Sequence, residues 1–265
     1  MRLGMIMNCD TADFDNAKSR GLSFIEADKN RPEAIIPFLS ETQRIKTDIE
    51  RTGIDIAAVG RWGADNQLGG KINKEVFSLT EQLLDAAIDI GARNFICGCN
   101  YDDSVSAYRN YTAAIEVFGS LLDRAKGKDI NIAVYNCEWG NFVNSPEQWK
   151  IVHGELPDLK IKYDAAHAIG RDADFMSEIN DWAERISYVH LKGILMVKSI
   201  GWVDFPPAGM DQIDWKSLIS LLYAKGYDGD LALEPHSAVW TKNSPLGEAG
   251  IDYSIRYFKE MLFDK

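Results

Sequence analysis

The sequence lacks three features that would each point to a large class of proteins. No run of about 18 apolar residues occurs, so nothing predicts a membrane span. Positive charge is in deficit, with 29 Lys and Arg against 40 Asp and Glu. The resulting net charge of −11 argues against a nucleic-acid partner, because phosphate binding needs a basic surface. The N-terminus enters a strand-like segment without a signal-peptide pattern, which predicts a cytoplasmic protein.

Cysteine is scarce, and its spacing argues against the common metal motifs. The short spacing of Cys97-Gly-Cys99, with no second pair, is not that of a zinc knuckle. Each cysteine lies in or at the end of a predicted buried strand, and such positions are typical of reduced, packed thiols. We therefore expect structural cysteines. The four are Cys9, Cys97, Cys99 and Cys137.

Short apolar runs alternate with helical stripes along the whole chain. The runs are nearly continuous rather than alternating, which favours parallel strands covered by helices. Eight such units in about 250 residues predict a (β/α)8 TIM barrel, as a single domain over residues 1–265. A doubly wound open sheet is the alternative, and the absence of a glycine-rich dinucleotide loop after the first strand disfavours it. The predicted strands are 3–7, 22–27, 54–59, 94–99, 130–135, 161–163, 186–189 and 231–233.

Residues that commonly bind metals follow four consecutive apolar runs. They are Glu138, Asp164, His190 and Glu234, after the fifth to eighth predicted strands. In a barrel the carboxyl ends of all strands open onto one face, where active sites lie. Three carboxylates and one imidazole predict a site for one divalent ion, and Mn²⁺, Mg²⁺ or Co²⁺ suits that set better than structural Zn²⁺.

Four segments of the second half of the chain carry a family resemblance. They resemble the xylose isomerase-like TIM-barrel superfamily, in its sugar (phosphate) isomerase and epimerase branch, over about residues 130–235. The segments are Tyr163-Asp-Ala-Ala-His167, Tyr188-Val-His-Leu-Lys192, Gly209-Met-Asp-Gln-Ile-Asp-Trp215 and Gly226-Tyr-Asp-Gly-Asp-Leu-Ala-Leu-Glu-Pro235.

The resemblance implies a set of roles for the residues at the strand ends. It implies that Glu138, Asp164, His190 and Glu234 bind one metal ion and that His167 contacts substrate hydroxyls. We expect Mn²⁺, with Mg²⁺, Co²⁺ or Zn²⁺ as alternatives. Because members of the family are often dimers or tetramers, a homo-oligomer is also expected.

The predicted chemistry is proton transfer next to a ketone. A divalent ion that is chelated by a ketone oxygen and a neighbouring hydroxyl acidifies the intervening C–H and stabilises an enediolate. Glu138 and Glu234 are the predicted acid and base, each acting also as a ligand. The expected substrate is a small unphosphorylated ketose or keto-polyol. The residues are compatible both with epimerisation and with aldose–ketose isomerisation.

Further residues are candidates for substrate contact. Trp139, directly after Glu138, is suited to pack on the apolar face of a sugar, although a structural aromatic is an equal alternative. Arg61 and Trp62 lie in a glycine-rich loop that is suited to close over a substrate. Glu26, at the second strand end, is a candidate to bind a hydroxyl or to pair with a lysine. Lys192 is predicted to project on the side of the metal-binding histidine.

Three other functions remain as alternatives. A dehydratase on the same scaffold would eliminate water from a keto-inositol after the same proton abstraction. A barrel that binds sugar without catalysis would have no use for two acid/base glutamates. A DNA-repair endonuclease of the superfamily would need a histidine-rich, multi-metal site, and this acidic chain has only four histidines.

Overall fold

Eight parallel strands close into a barrel in the computed structural model, which describes residues 1–241 and 244–263. The barrel strands follow one another around the ring in chain order, and every neighbouring pair is parallel. This confirms the predicted (β/α)8 barrel and rules out the open sheet. The barrel strands are β1 (Arg2–Met7), β2 (Phe24–Asp28), β3 (Asp55–Arg61), β6 (Asn94–Cys97), β7 (Asn131–Tyr135), β8 (Lys160–Asp164), β9 (Ile186–Leu191) and β12 (Asp230–Leu233), with β4 (Gln67–Leu68), β5 (Lys71–Ile72), β10 (Leu195–Val197) and β11 (Gly201–Asp204) outside the barrel.

Helices cover the outside of the barrel, and local sequence signals set their ends. Asp10 forms a capping box with Asp13 at the start of α1 (Thr11–Ser19), and Gly53, at φ +74°, ends α3 (Thr42–Thr52). Within the described ranges no helix is long and apolar enough to cross a membrane. The helices are α1 (Thr11–Ser19), α2 (Pro32–Ser40), α3 (Thr42–Thr52), α4 (Lys74–Asp89), α5 (Ala107–Ala125), α6 (Pro146–Glu155), α7 (Ala165–Gly170), α8 (Phe175–Trp182), α9 (Trp215–Ala224) and α10 (Pro245–Lys259), with a 3₁₀ turn at Ala183–Arg185.

Pro32 as a start signal and Gly53 as a stop signal predict one helix over about residues 32–51, whereas the structure has two helices there. The chain leaves the helical conformation at Glu41, which has φ −102° and ψ 3° and lies between α2 and α3. The reason is tertiary packing, since α2 packs against α4 whereas α3 packs against α1. A single straight helix over residues 32–51 could not pack its first half against α4 and its second half against α1.

The glycine-rich segment 60–70 and the long segment 193–212 both predict irregular loops from their sequence, but each of them contributes to a small hairpin in the structure. Residues 60–70 lead into the antiparallel pair β4–β5, whose turn places Gly69 and Gly70 at φ +62° and +75°. Residues 193–212 contain the antiparallel pair β10–β11. The second hairpin follows β9, so it lies at the carboxyl end of the barrel.

The barrel interior is filled by aromatic and small apolar side chains. A network of ion pairs joins Arg2 and Arg93 to Asp55 and Asp230 at the amino ends of the strands, with N–O distances of 2.7–2.9 Å. Above this network the apolar layer forms the floor of the opposite, carboxyl end. The buried members of that layer are Phe24, Ala57, Ala58, Trp62, Ile96, Ala133, Tyr135, Tyr188 and Ala232.

Candidate active site at the carboxyl end of the barrel

A cavity of about 410 Å³ lies at the carboxyl end of the barrel. Its volume is in the usual range for small-ligand sites, and polar side chains from several barrel strands line it together with Trp62, Trp139 and Phe205. This arrangement is that of an active site in a TIM barrel. The polar lining residues are Asp28, Asn30, Lys162, His167, His190, Lys192, Glu234 and His236.

Three of the four predicted metal ligands come together at this cavity: His190 and Glu234 line it, and the buried Asp164 lies beside them. Asp164 ends β8, His190 lies in β9, and Glu234 directly follows β12. One ligand atom from each residue lies within 4.8 Å of the other two. The three strands are neighbours, and Asp164 pairs in register with His190. Barrel closure therefore builds the group directly from the strand ends.

His190 lies between two carboxylates. Its Nδ1 is 2.7 Å from Glu234 Oε2, and its Nε2 is 2.8 Å from Oε2 of the buried Glu26. Burial by itself lowers the pKa of His190, but the negative charge of Glu26 and the hydrogen bonds to both carboxylates raise that pKa overall. Glu26 thus pairs with the histidine, rather than with a lysine or with solvent. A carboxylate on the second ring nitrogen is the usual support for a metal-binding histidine.

Lys192 provides positive charge beside the carboxylates of Asp164 and Glu234, the two candidate ligands. Its Nζ lies 3.1 Å from Asp164 Oδ2 and 3.3 Å from the Glu234 carboxylate. Although burial favours the neutral acid, the Lys192 ammonium lowers the pKa of Asp164 to about 2. Burial and the same ammonium group lower the pKa of His167 to about 4. His167 is therefore neutral at pH 7, and its Nε2 accepts a hydrogen bond from Lys192 at 2.7 Å.

The residues present fit a divalent cation. Asp164 Oδ2 is buried, and among the described residues its contacts are with positively charged or imidazole nitrogens, Lys192 Nζ being nearest at 3.1 Å, so this oxygen is in a position to bind a cation. Two carboxylates and one imidazole leave positions open for a substrate, as catalytic metal sites require. The Lys192 ammonium would compete with such a cation for the carboxylates of Asp164 and Glu234.

Glu138, the fourth predicted ligand, lies outside this group. Strand β7 ends at Tyr135, and Glu138 follows three residues later as an exposed residue. The Tyr135 hydroxyl donates to the Trp139 carbonyl at 2.7 Å and so fixes the intervening loop. Glu138 lines an adjoining cavity, which shares Cys137, Trp139, His167 and Phe205 with the first.

Of the other residues predicted to contact the substrate, the two tryptophans line the cavity and the arginine contacts a surrounding helix. Trp62 and Trp139 line the cavity, and Trp62 stacks on Tyr135 with a centroid distance of 5.4 Å. Arg61 points the other way, since its Nη1 donates to the Val76 carbonyl at 2.8 Å and to the Thr80 hydroxyl. Arg61 thus contacts helix α4 and does not line the cavity.

Sequence reasoning missed several lining residues that a simple rule would have found. Side chains two residues apart on a strand share a face. Lys162 precedes Asp164 by two residues on β8, and Asp28 follows Glu26 by two on β2. His236, which follows Glu234 by two residues, places Nδ1 3.1 Å from Glu234 Oε1.

Comparison with known proteins identifies the family. The model of the family described as xylose isomerase-like TIM barrel matches residues 14–261. The chain belongs to the xylose isomerase-like TIM barrel family. The match covers both halves of the chain and confirms the resemblance that the sequence motifs predicted.

Relatives of this xylose isomerase-like barrel include sugar epimerases. A ketose 3-epimerase of Arthrobacter globiformis is 27% identical over 215 residues, which are 76% of this chain and 71% of that protein. The D-psicose 3-epimerase of Clostridium cellulolyticum H10, solved with D-tagatose, has a TM-score of 0.80 at 12% identity over 100% of both chains. A 3-keto-D-glucoside 4-epimerase of E. coli has a TM-score of 0.78 at 14% identity, over 98% of this chain and 99% of its own. These structures are similar in fold.

Proposed function

We propose that the chain is a divalent-metal-dependent sugar epimerase or isomerase that moves a proton on the carbon next to a ketone. The observation that carries this proposal is the group of Asp164, His190 and Glu234, of which His190 and Glu234 line a sugar-sized cavity at the barrel mouth. The names of the relatives support an isomerase-class enzyme with a sugar substrate. The expected substrate is a small ketose or keto-polyol.

The three grouped residues would hold the metal ion. When bound, a divalent ion would polarise the ketone oxygen and acidify the neighbouring C–H. Mn²⁺ is the ion we propose, with Mg²⁺, Co²⁺ or Zn²⁺ as alternatives, because carboxylates outnumber imidazole in the group. Glu26 would orient His190 by its contact with Nε2.

Glu234 is the first candidate for proton transfer. Burial favours its neutral form, but the Lys192 ammonium and the His190 hydrogen bond hold its pKa well below the usual range. The carboxylate is therefore ionised at neutral pH and able to accept a proton. Lys192 and the neutral His167 would contact substrate hydroxyls, as donor and as donor or acceptor respectively.

Glu138 is the second candidate for proton transfer, from the adjoining cavity. It lies across a shared wall that includes Trp139 and Phe205, so it would approach a bound sugar from a different side than Glu234. Two carboxylates on different sides of one carbon are what epimerisation needs. Trp139, with 56% of its surface exposed, offers its ring to the apolar face of the sugar.

Uptake of solvent deuterium tests the proposed reaction directly. The protein would be stripped of metal, reloaded with Mn²⁺ and offered ketoses, hydroxypyruvate and an inosose in D₂O. Deuterium should enter at one carbon only when metal is present, as read by NMR after the Mn²⁺ is removed. The Glu234→Gln and Glu138→Gln variants should lose this uptake, whereas Glu116→Gln, on the exposed face of α5, should retain it.

Other outcomes would identify the alternatives. A product lighter by one water would indicate the dehydratase. Sugar binding without exchange in the metal-loaded protein would indicate a barrel that only binds. Uptake that persists in Glu138→Gln would contradict the role proposed for that residue and leave Glu234 as the single base.

A further inference from the structure

Lys162 is a buried cation whose charge the proposed reaction does not use. It lies in barrel strand β8, is 1% exposed, and lines the active-site cavity. Its register partners are Tyr135 and Tyr188, both members of the apolar floor. A lysine in this position has a desolvated ammonium group, which is costly unless a negative group compensates it.

The carboxylates around the cavity already have closer partners than Lys162. Glu234 and Glu26 lie 2.7 and 2.8 Å from the two nitrogens of His190. Asp164 lies 3.1 Å from the Lys192 ammonium. Burial and the charge of Glu26 raise the pKa of Asp28 well above its usual range, against the opposing charge of Lys162, which makes Asp28 a weak counter-ion for that lysine.

Lys162 itself is only loosely paired. Its ammonium lies 3.7 Å from Asp164 Oδ2, which is beyond hydrogen-bond distance, and it makes no hydrogen bond to the described residues. A divalent ion held by Asp164 would compete with Lys162 for the negative charge of that carboxylate. The three N–H donors of Lys162 are therefore free for an anionic oxygen of a ligand.

Building on the proposed function, we infer that Lys162 forms an anion subsite at the cavity floor and that the substrate is a keto sugar bearing a carboxylate. A neutral polyol needs hydroxyl partners, such as Asn30 and His167, but it gives the Lys162 ammonium no anionic partner closer than the 3.7 Å contact with Asp164. Bidentate recognition of a phosphate favours arginine, and no arginine is among the cavity-lining residues of the described chain.

Matched pairs of sugars test this inference on the metal-loaded protein. D-Fructose and D-fructuronate, or D-tagatose and D-tagaturonate, differ in whether the terminal group is a hydroxymethyl or a carboxylate. Calorimetric titration should show that the protein binds the acid of a pair at least about 10-fold more tightly than the neutral ketose. Equal binding, tighter binding of the neutral sugar, or tighter binding of the corresponding sugar phosphate would overturn the inference.

Two lysine variants test whether Lys162 causes the preference for the sugar acid. Lys162→Gln should lose the preference for the acid, measured as the ratio of the affinities for the acid and for the neutral ketose within the variant. Lys160→Gln removes an ammonium from the other end of the same strand, where it contacts the Glu184 carbonyl, and should keep the preference. A preference that persists in Lys162→Gln would overturn the assignment. Because the ratio of the two affinities does not depend on whether a proton is exchanged, its result stands apart from the deuterium test of the proposed function.

Discussion

His153 should make the stability of this barrel depend on pH below neutrality. It lies in α6, is 2% exposed, and neither ring nitrogen has a hydrogen-bond partner in the described chain. Burial lowers its pKa from 6.5 to about 4. Because the folded-state pKa is the lower one, the unfolded chain binds the proton first, and stability falls as the pH drops from about 6.5 towards 4. Between pH 7 and pH 5 the expected loss is about 2 kcal/mol.

Urea unfolding at several pH values measures this loss. The variant His153→Leu removes the titrating ring from the contact with Trp182, whose ring centroid lies 5.8 Å away. Wild type should lose about 2 kcal/mol more unfolding free energy than the variant between pH 7 and pH 5. Above pH 7 the two proteins should change in parallel, which serves as the internal control. Equal losses below pH 7 would refute the argument.

Three further substitutions test the geometry of the site. Glu26→Gln removes the negative partner of His190 Nε2 and should weaken Mn²⁺ binding roughly 10- to 100-fold, as measured by electron paramagnetic resonance titration. Arg61→Met removes the guanidinium from its contacts with α4 and should cost about 1–3 kcal/mol in urea unfolding, without weakening Mn²⁺ binding. In Gly63→Ala the added Cβ would lie 2.6 Å from the Trp139 ring, so tryptophan fluorescence should change and sugar binding should weaken.

Each substitution has its own contrary result. Unchanged Mn²⁺ affinity in Glu26→Gln would mean that the carboxylate does not support the histidine. Weaker sugar binding in Arg61→Met would place that residue in the site after all. For Gly63→Ala the control is Gly53→Ala, since both glycines have positive φ but no atom lies within 4 Å of the Cβ added at Gly53. Equal fluorescence changes in both variants would show that backbone strain alone causes the effect.

Strand alternation explains why neighbouring predictions had different outcomes. Arg61 and Trp62 are adjacent in sequence and were predicted to act together over the substrate. Successive side chains of an extended chain point to opposite faces, so Trp62 faces the cavity while Arg61 faces α4. The same rule applied at a spacing of two residues would have added Lys162 to the predicted site.

The sequence by itself determined the barrel and the face on which its site lies. Apolar runs set the strands, and the residues that end three neighbouring runs must meet because parallel strands open onto one rim. Only the tertiary structure decided which side chains of the site contact one another. Glu26 and His190 are 164 residues apart and meet only across the closed barrel. Glu138 depends on a loop that Tyr135 holds, and no periodicity encodes the direction of a side chain beyond the end of its strand.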